Sequence, residues 1–129
     1  EMAGYGAQGF TASKLKGGGI ALRDDVARVK AVRDAIGSSR QLMLDANGGY
    51  SLREAQEAIQ AYECFDLTWF EEPLHWYDTI RALGKLAAST RVPIASGESE
   101  LQGWSCRDLV DLGGVRVMQF DATRAGGVT

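Results

Sequence analysis

An α/β fold, a partial (β/α) TIM-like barrel of about five parallel strands with intervening helices, is predicted by two features of this sequence. First, Asp45, Glu71 and Glu98 each close a short apolar stretch of β character and recur at intervals of 26 and 27 residues. One strand, one helix and two loops take about 25 to 30 residues, so acids at this period end adjacent strands of a repeating β/α unit. Second, the segments between the acids carry helical apolar spacing, and near-continuous apolar strands alternating with amphipathic helices imply a parallel sheet covered on both faces. Lys14-Leu15-Lys16 closes an earlier strand and Asp121 a later one, so five units each bring a charge to the same level.

Residues 10–16 mix β-branched, aromatic and apolar side chains before Gly17-Gly18-Gly19, a strand running into a loop. Val26, Val29, Val32 (or Ala31) and Ile36 fall at helical spacing from about Leu22, and Gly37 stands where a glycine ends a helix. The second strand is 41–45. Ser51 with Glu54 forms a capping-box pattern, after which Ala55, Ala58, Ile59 and Tyr62 give one apolar face. Residues 67–71 form the third strand, stopped by Pro73. Ile80, Leu83, Leu86 and Ala87 mark the next amphipathic helix, and 92–96 the fourth strand. Ser105 with Asp108 resembles a second helix cap, Leu109, Val110 and Leu112 supply a short apolar face, and Gly113-Gly114 leads into the strand 115–120. Nothing divides this series, so residues 1–129 read as one partial barrel domain with four complete helices. A closed barrel needs eight such units and about 250 residues.

The composition is that of a soluble globular protein, with 45% apolar and 24% charged residues. A net charge of -3 and a pI near 5.1 provide no basic field for nucleic acid or an anionic membrane. No apolar stretch approaches the roughly 18 residues of a membrane span, and no signal peptide precedes the first strand, so a cytoplasmic setting is expected. Cys64 and Cys106 are too few and too far apart for a disulfide framework or a paired-cysteine zinc motif. The chain begins at Glu1 and stops where a loop should hand over to a helix, so both ends read as cut.

The strand ends carry the chemistry. Residues two apart on a strand face the same side, so Lys14 and Lys16 project together while Leu15 turns towards the helices. Mutual repulsion and partial desolvation should make at least one of the two easier to deprotonate. Asp45, Glu71 and Glu98 offer hard oxygen donors with no histidine or thiolate beside them, which suits Mg²⁺ or Mn²⁺. A cation so held can bind a substrate carboxylate and neutralise the charge that appears when the adjacent carbon loses its proton. Lys16 is the natural proton acceptor. Glu72 neighbours Glu71 but alternation sends only one of them inward, so Glu72 is read as a supporting or structural acid.

These residues resemble the enolase superfamily, and within it the mandelate racemase branch of the mandelate racemase/muconate lactonizing group. The resemblance runs through Lys14-Leu15-Lys16, Leu44-Asp45-Ala46-Asn47, Trp69-Phe70-Glu71-Glu72-Pro73, Ser96-Gly97-Glu98 and the run from Phe120-Asp121 to Gly126-Gly127. It implies Asp45, Glu71 and Glu98 as metal ligands, Lys16 as base with Lys14 its partner, and Asn47 as a polar residue beside the substrate. It also implies that Asp121 orients a histidine from the following strand, a histidine this sequence does not reach. In the muconate cycloisomerase and dipeptide epimerase branches the position of Asp121 is a second catalytic lysine. His75 follows Glu-Glu-Pro on another unit and reads as a loop or rim residue, with Trp69, Trp76 and Tyr77 as packing residues.

The expectation is therefore a Mg²⁺-dependent lyase that removes the proton next to a carboxylate through a metal-stabilised enolate and dehydrates a sugar acid in carbohydrate acid catabolism. Racemisation or epimerisation of a 2-hydroxy acid stays open. So does a non-catalytic role for a central barrel fragment that lacks its capping domain, its remaining units and its histidine. The resemblance implies a small carboxylate substrate and a homo-oligomeric parent, with neither nucleic acid nor membrane as partner.

Overall fold

The computed structural model describes residues 2–78 and 80–127. Five strands, β1 (Ala12–Lys16), β2 (Gln41–Asp45), β3 (Trp69–Glu71), β4 (Ile94–Ser96) and β5 (Val117–Met118), form one sheet in the order β1-β2-β3-β4-β5. Every neighbouring pair is parallel. Sequential order without reversal is the winding of a barrel wall, whereas a doubly wound sheet would switch direction part-way. The fold is thus an α/β partial barrel.

Helices α2 (Leu22–Ile36), α3 (Leu52–Tyr62), α4 (Ile80–Ala88) and α5 (Gly103–Asp111) make the four crossovers. In α2, Asp24 and Asp25 occupy the first turn and Arg33 the last, which complements the helix dipole. Gly37 ends the helix at φ 76°, a left-handed conformation, with its N–H on the Arg33 carbonyl. Val29 and Ile36 are buried while Val26 and Val32 are half-buried, so the apolar stripe runs through Val32 and leaves Ala31 exposed. Helix α3 starts with the full capping box, Ser51 Oγ accepting from the Glu54 N–H and the Glu54 carboxylate accepting from the Ser51 N–H. Its buried residues are Ala55, Ala58, Ile59 and Tyr62, the predicted face.

Alternation along the strands divides the sheet into two faces. Leu15, Leu44, Phe70 and Ile94 are successive register partners and turn towards the helices, where they meet Val29, Ile59, Tyr62, Leu83 and Leu86 in the core. Phe70, wholly buried, meets the Tyr62 ring edge-on with centroids 5.9 Å apart. The opposite face carries Lys14, Lys16, Asp45, Trp69 and Glu71. Helix α4 approaches the loop before β5 so closely that a Cβ on Gly84 would stand 2.4 Å from the Leu112 carbonyl oxygen.

Three expectations are corrected and one element is added. The first, third, fourth and fifth strands are shorter than predicted: residues 10–11, 67–68, 92–93, 115–116 and 119–120 lie outside the paired strands, although the Thr68, Arg116 and Gln119 N–H groups still reach the Leu42, Ile94 and Ser96 carbonyls and the Thr11 and Pro93 carbonyls accept from the Gln41 and Phe70 N–H groups. Ser105 is not a cap: α5 begins at Gly103, and the Ser105 hydroxyl donates backward to the Gln102 carbonyl. Of the apolar face proposed for α5, only Leu109 is buried, since Val110 points about 100° away and Leu112 lies past the helix end. A short helix, α1 (Met2–Ala7), precedes β1; its two glycines concealed it in the sequence. Among the described residues no helix is long and apolar enough to cross a membrane.

Two stability predictions follow from this packing. Phe70→Ala should lower the unfolding free energy by about 3 to 5 kcal/mol, read as a shifted urea midpoint with unchanged slope. The hydrogen bonds from the Ser51 side chain and backbone hold the Glu54 carboxyl below the usual carboxylate range. A folded value below the unfolded one stabilises the protein above the unfolded pKa, and that stabilisation is lost as the pH falls through the folded value. Glu54→Gln should therefore destabilise the protein at neutral pH and have no effect in acid, checked by denaturant titrations across the carboxylate range.

Candidate active site

Parallel register places the strand-end charges beside one another. Lys16 pairs with Asp45 across β1 and β2, and Asp45 pairs with Glu71 across β2 and β3. All three point to the face away from the helical core, at the C-terminal edge where parallel barrels carry their sites. Lys14, two residues before Lys16, shares that face.

Asp45 and Glu71 are buried carboxylates, and every oxygen of both has a donor. Asp45 Oδ2 accepts from Lys16 Nζ at 2.5 Å and lies 3.6 Å from Lys14 Nζ, while Oδ1 accepts from the Asn47 N–H at 2.9 Å. Glu71 Oε1 accepts from Lys14 Nζ at 2.6 Å, and Oε2 from the Trp69 indole N–H at 2.9 Å. Lys16 Nζ also donates to Asn47 Oδ1 at 2.6 Å. Burial pushes the Asp45 carboxyl up, but the Lys16 hydrogen bond, the Asn47 N–H and the two ammonium charges outweigh it and the group lies below its ordinary value.

Lys14 is not a lysine whose deprotonation is made easier by repulsion from its neighbour. Burial pulls the Lys14 ammonium down, yet hydrogen bonding and charge attraction to Glu71, then Asp45, leave it above its ordinary value. The carboxylates stand between the two ammonium groups and hold Lys14 protonated. Lysine spacing alone contained the repulsion but not the intervening charges.

Glu98 lies two residues beyond β4 and is exposed. Its loop is tied to Glu72, whose Oε1 accepts from Gly97 N–H at 2.8 Å, Ser96 Oγ at 3.1 Å and Glu98 N–H at 3.2 Å. Glu72 takes a left-handed φ of 40°, which turns its side chain towards β4 while Glu71 stays on the site face. Burial pushes the Glu72 carboxyl above the usual range, and those three donors offset this only in part. The structure thus brings Asp45, Glu71 and both lysines together and sets Glu98 on the adjoining loop. Among the described residues no three acids, histidines or cysteines stand close enough to one another to hold an ion.

The donor set nonetheless fits a hard divalent cation. Asp45 and Glu71 are adjacent, oxygen-only and buried, and two ammonium groups now balance their charge; Glu98 offers a third carboxylate from the next loop. Asn47, Trp76, Glu98, Ser99 and Arg124 line a cleft of about 150 Å³ beside them. Asp121 does not end β5 but lies three residues past it, where Oδ1 accepts from the Thr123 N–H at 2.8 Å and Oγ1 at 2.6 Å. Thr123, through its side chain first, holds the Asp121 carboxyl below the usual range. His75 follows β3 and stacks on Tyr77 with centroids 3.6 Å apart, two strands from Asp121. Trp69, expected to pack, donates its indole N–H to Glu71, and the signal for this in the sequence is strand alternation, which puts 69 and 71 on one face; Trp76 and Tyr77, also expected to pack, are largely exposed.

Comparison with known proteins agrees with this fold. The chain is 31% identical over its whole length to the arabinonate dehydratase of Saccharolobus solfataricus, covering 34% of that protein. It is 35% identical over 98% of its length to the D-galactarolactone cycloisomerase of Agrobacterium fabrum, covering 33%. The crystal structure of L-talarate dehydratase from Polaromonas sp. JS666, complexed with Mg and L-glucarate, matches with TM-score 0.91 and 35% identity over 98% of this chain and 36% of that one. The chain spans about a third of the length of the curated relatives it matches. The family model described as enolase C-terminal domain-like matches residues 1–129, and the chain belongs to that family.

Proposed function

We propose that the protein carrying this chain is a Mg²⁺-dependent hydro-lyase that removes the proton α to the carboxylate of a sugar acid and expels the β-hydroxyl as water. The observation that carries the proposal is the row Lys16, Asp45, Glu71, in which an amine and two carboxylates are locked side by side by register. The Mg-containing talarate dehydratase neighbour supports it.

In this reading Asp45, Glu71 and Glu98 hold the cation, with Mn²⁺ an acceptable substitute. Once bound, the cation neutralises charge developing on the substrate carboxylate. Lys16, the more exposed of the two lysines, would accept the α-proton at Nζ as the neutral amine, after its ammonium proton has passed to solvent once the cation takes its place on Asp45, and Asn47 Oδ1 fixes the direction of that amine. Lys14 remains an ammonium on Glu71 and supplies positive charge. Asp121 would orient a histidine contributed from outside these residues, so the 129 residues alone should turn over little substrate. A cytoplasmic setting and a homo-oligomeric assembly complete the proposal.

A second reading, a racemase or epimerase of a 2-hydroxy acid that returns the proton instead of losing water, is favoured by an epimerase among the relatives, 32% identical over 93% of this chain. The two separate in D₂O: a dehydratase yields a keto acid, whereas an isomerase yields deuterated substrate or its stereoisomer with every hydroxyl retained.

Three outcomes test the proposal. Lys16→Ala should lower kcat on the preferred sugar acid by about 10²- to 10⁴-fold. Calorimetric titration with Mg²⁺ should show binding that disappears when Asp45→Asn, Glu71→Gln and Glu98→Gln are combined; unchanged binding in that variant would sink the metal assignment. Lys14→Met should tighten Mg²⁺ binding by less than about tenfold, because an ammonium that is partly exposed and occupies Glu71 Oε1 is removed.

A further inference from the structure

Asp25 is a wholly buried carboxylate on α2 that the proposed chemistry does not use. A buried charge is retained only where several groups compensate it. Its Oδ2 accepts from the Gly18 N–H at 2.6 Å and the Tyr62 hydroxyl at 2.9 Å, with the Tyr50 hydroxyl at 3.3 Å. Its Oδ1 has no hydrogen-bond donor and faces the Arg28 guanidinium at 3.6 Å. Arg28, one helical turn on, donates through Nη2 to the carbonyl oxygen of Lys16 itself.

Helix α2 therefore grips the end of β1 at two consecutive places, the Lys16 carbonyl and, through Asp25, the Gly18 N–H. A third hold comes from β2, where the Asp45 carbonyl accepts from the Gly17 N–H at 2.8 Å. Gly18 has φ 76°, a left-handed turn that does not sustain itself in a run of three glycines without such anchors. Tyr50, on the loop after Asp45 and Asn47, lies against Gly18 and reaches the same carboxylate. One buried group thus joins the loop behind the lysine to the loop behind the aspartate.

We infer that Asp25 and Arg28 are positioning residues for Lys16: they clamp the peptide on its C-terminal side and so fix where Nζ stands relative to Asp45 and Asn47. The inference rests on Lys16 being the base, and geometry of this kind matters because small misplacements of a reacting group reduce rate steeply.

The test uses the full-length enzyme and the variants Arg28→Met, Arg28→Lys and Asp25→Asn, with two independent readouts. One is kcat and KM on the preferred sugar acid; the other is the ¹³Cε resonance of Lys16 in lysine-labelled, substrate-free protein. Arg28→Met should lower kcat by about 10- to 100-fold with KM within about twofold, and should shift the Lys16 resonance. Arg28→Lys should recover part of both, and Asp25→Asn should also speed exchange of the Gly18 amide. Where Asp25→Asn does not fold, the Arg28 pair decides. A Lys16 resonance that stays in place in Arg28→Met, with kcat unchanged or falling only in step with thermal stability, overturns the clamp. If the unsubstituted enzyme dehydrates no sugar acid or Lys16→Ala stays active, the functional reading fails instead, and the resonance alone decides the clamp.

Discussion

The parallel register of β1, β2 and β3 is the constraint on which the rest of this structure depends. It stacks Lys16, Asp45 and Glu71 into a single row, and once two carboxylates are buried side by side they require positive charge close at hand. Lys14 and Lys16 supply it from the neighbouring strand. A one-residue slip of β1 would send both lysines to the apolar side and Leu15 to the charged one. Stability and chemistry thus rest on the same pairing: the core row of Leu15, Leu44, Phe70 and Ile94 holds the register that the charged row uses.

The site is also built from backbone bends that the strands cannot provide. Asn47 and Glu72 both adopt positive φ directly or almost directly after strand-end acids. At Glu72 the consequence is clear, because two adjacent glutamates are sent in different directions, one to the site and one to the three donors of the β4 loop. Glu72 thereby links the third unit to the fourth, much as Asp25 links the second helix to the first strand end. Buried Asp25 and half-buried Glu72 thus serve as ties between neighbouring segments, each accepting mainly from loop N–H groups and hydroxyls.

Much of the fold was readable from residues alone. The second strand and the helices α2, α3 and α4 fall where periodicity and capping placed them, because each carries a strong local signal: the stripe from Val26 to Ile36, the Ser51 and Glu54 box, the spacing of Leu83 and Leu86. The weak points were places where local signal and tertiary context diverge. Ser105 has the spacing of a cap but sits inside a helix whose start was set one turn earlier, and Val110 and Leu112 are apolar without facing anything buried. The 115–120 stretch looks like a long strand, yet its parallel pairing is confined to Val117–Met118.

The chain by itself determined the residue types and the order in which they meet: a lysine pair, then three acids at a β/α period, which suffice to name the family. Only the tertiary structure decided which of those charges touch. It put Lys14 on Glu71 and Lys16 on Asp45, recruited Trp69 to the second oxygen of Glu71, seated Asp25 behind the lysine loop, and left Glu98 and Asp121 on loops of their own. The physical reason is that a period states which strand ends carry charge. Hydrogen-bond geometry and burial depend on register and on loop torsions, which arise from pairings between residues some 25 to 60 positions apart in the chain.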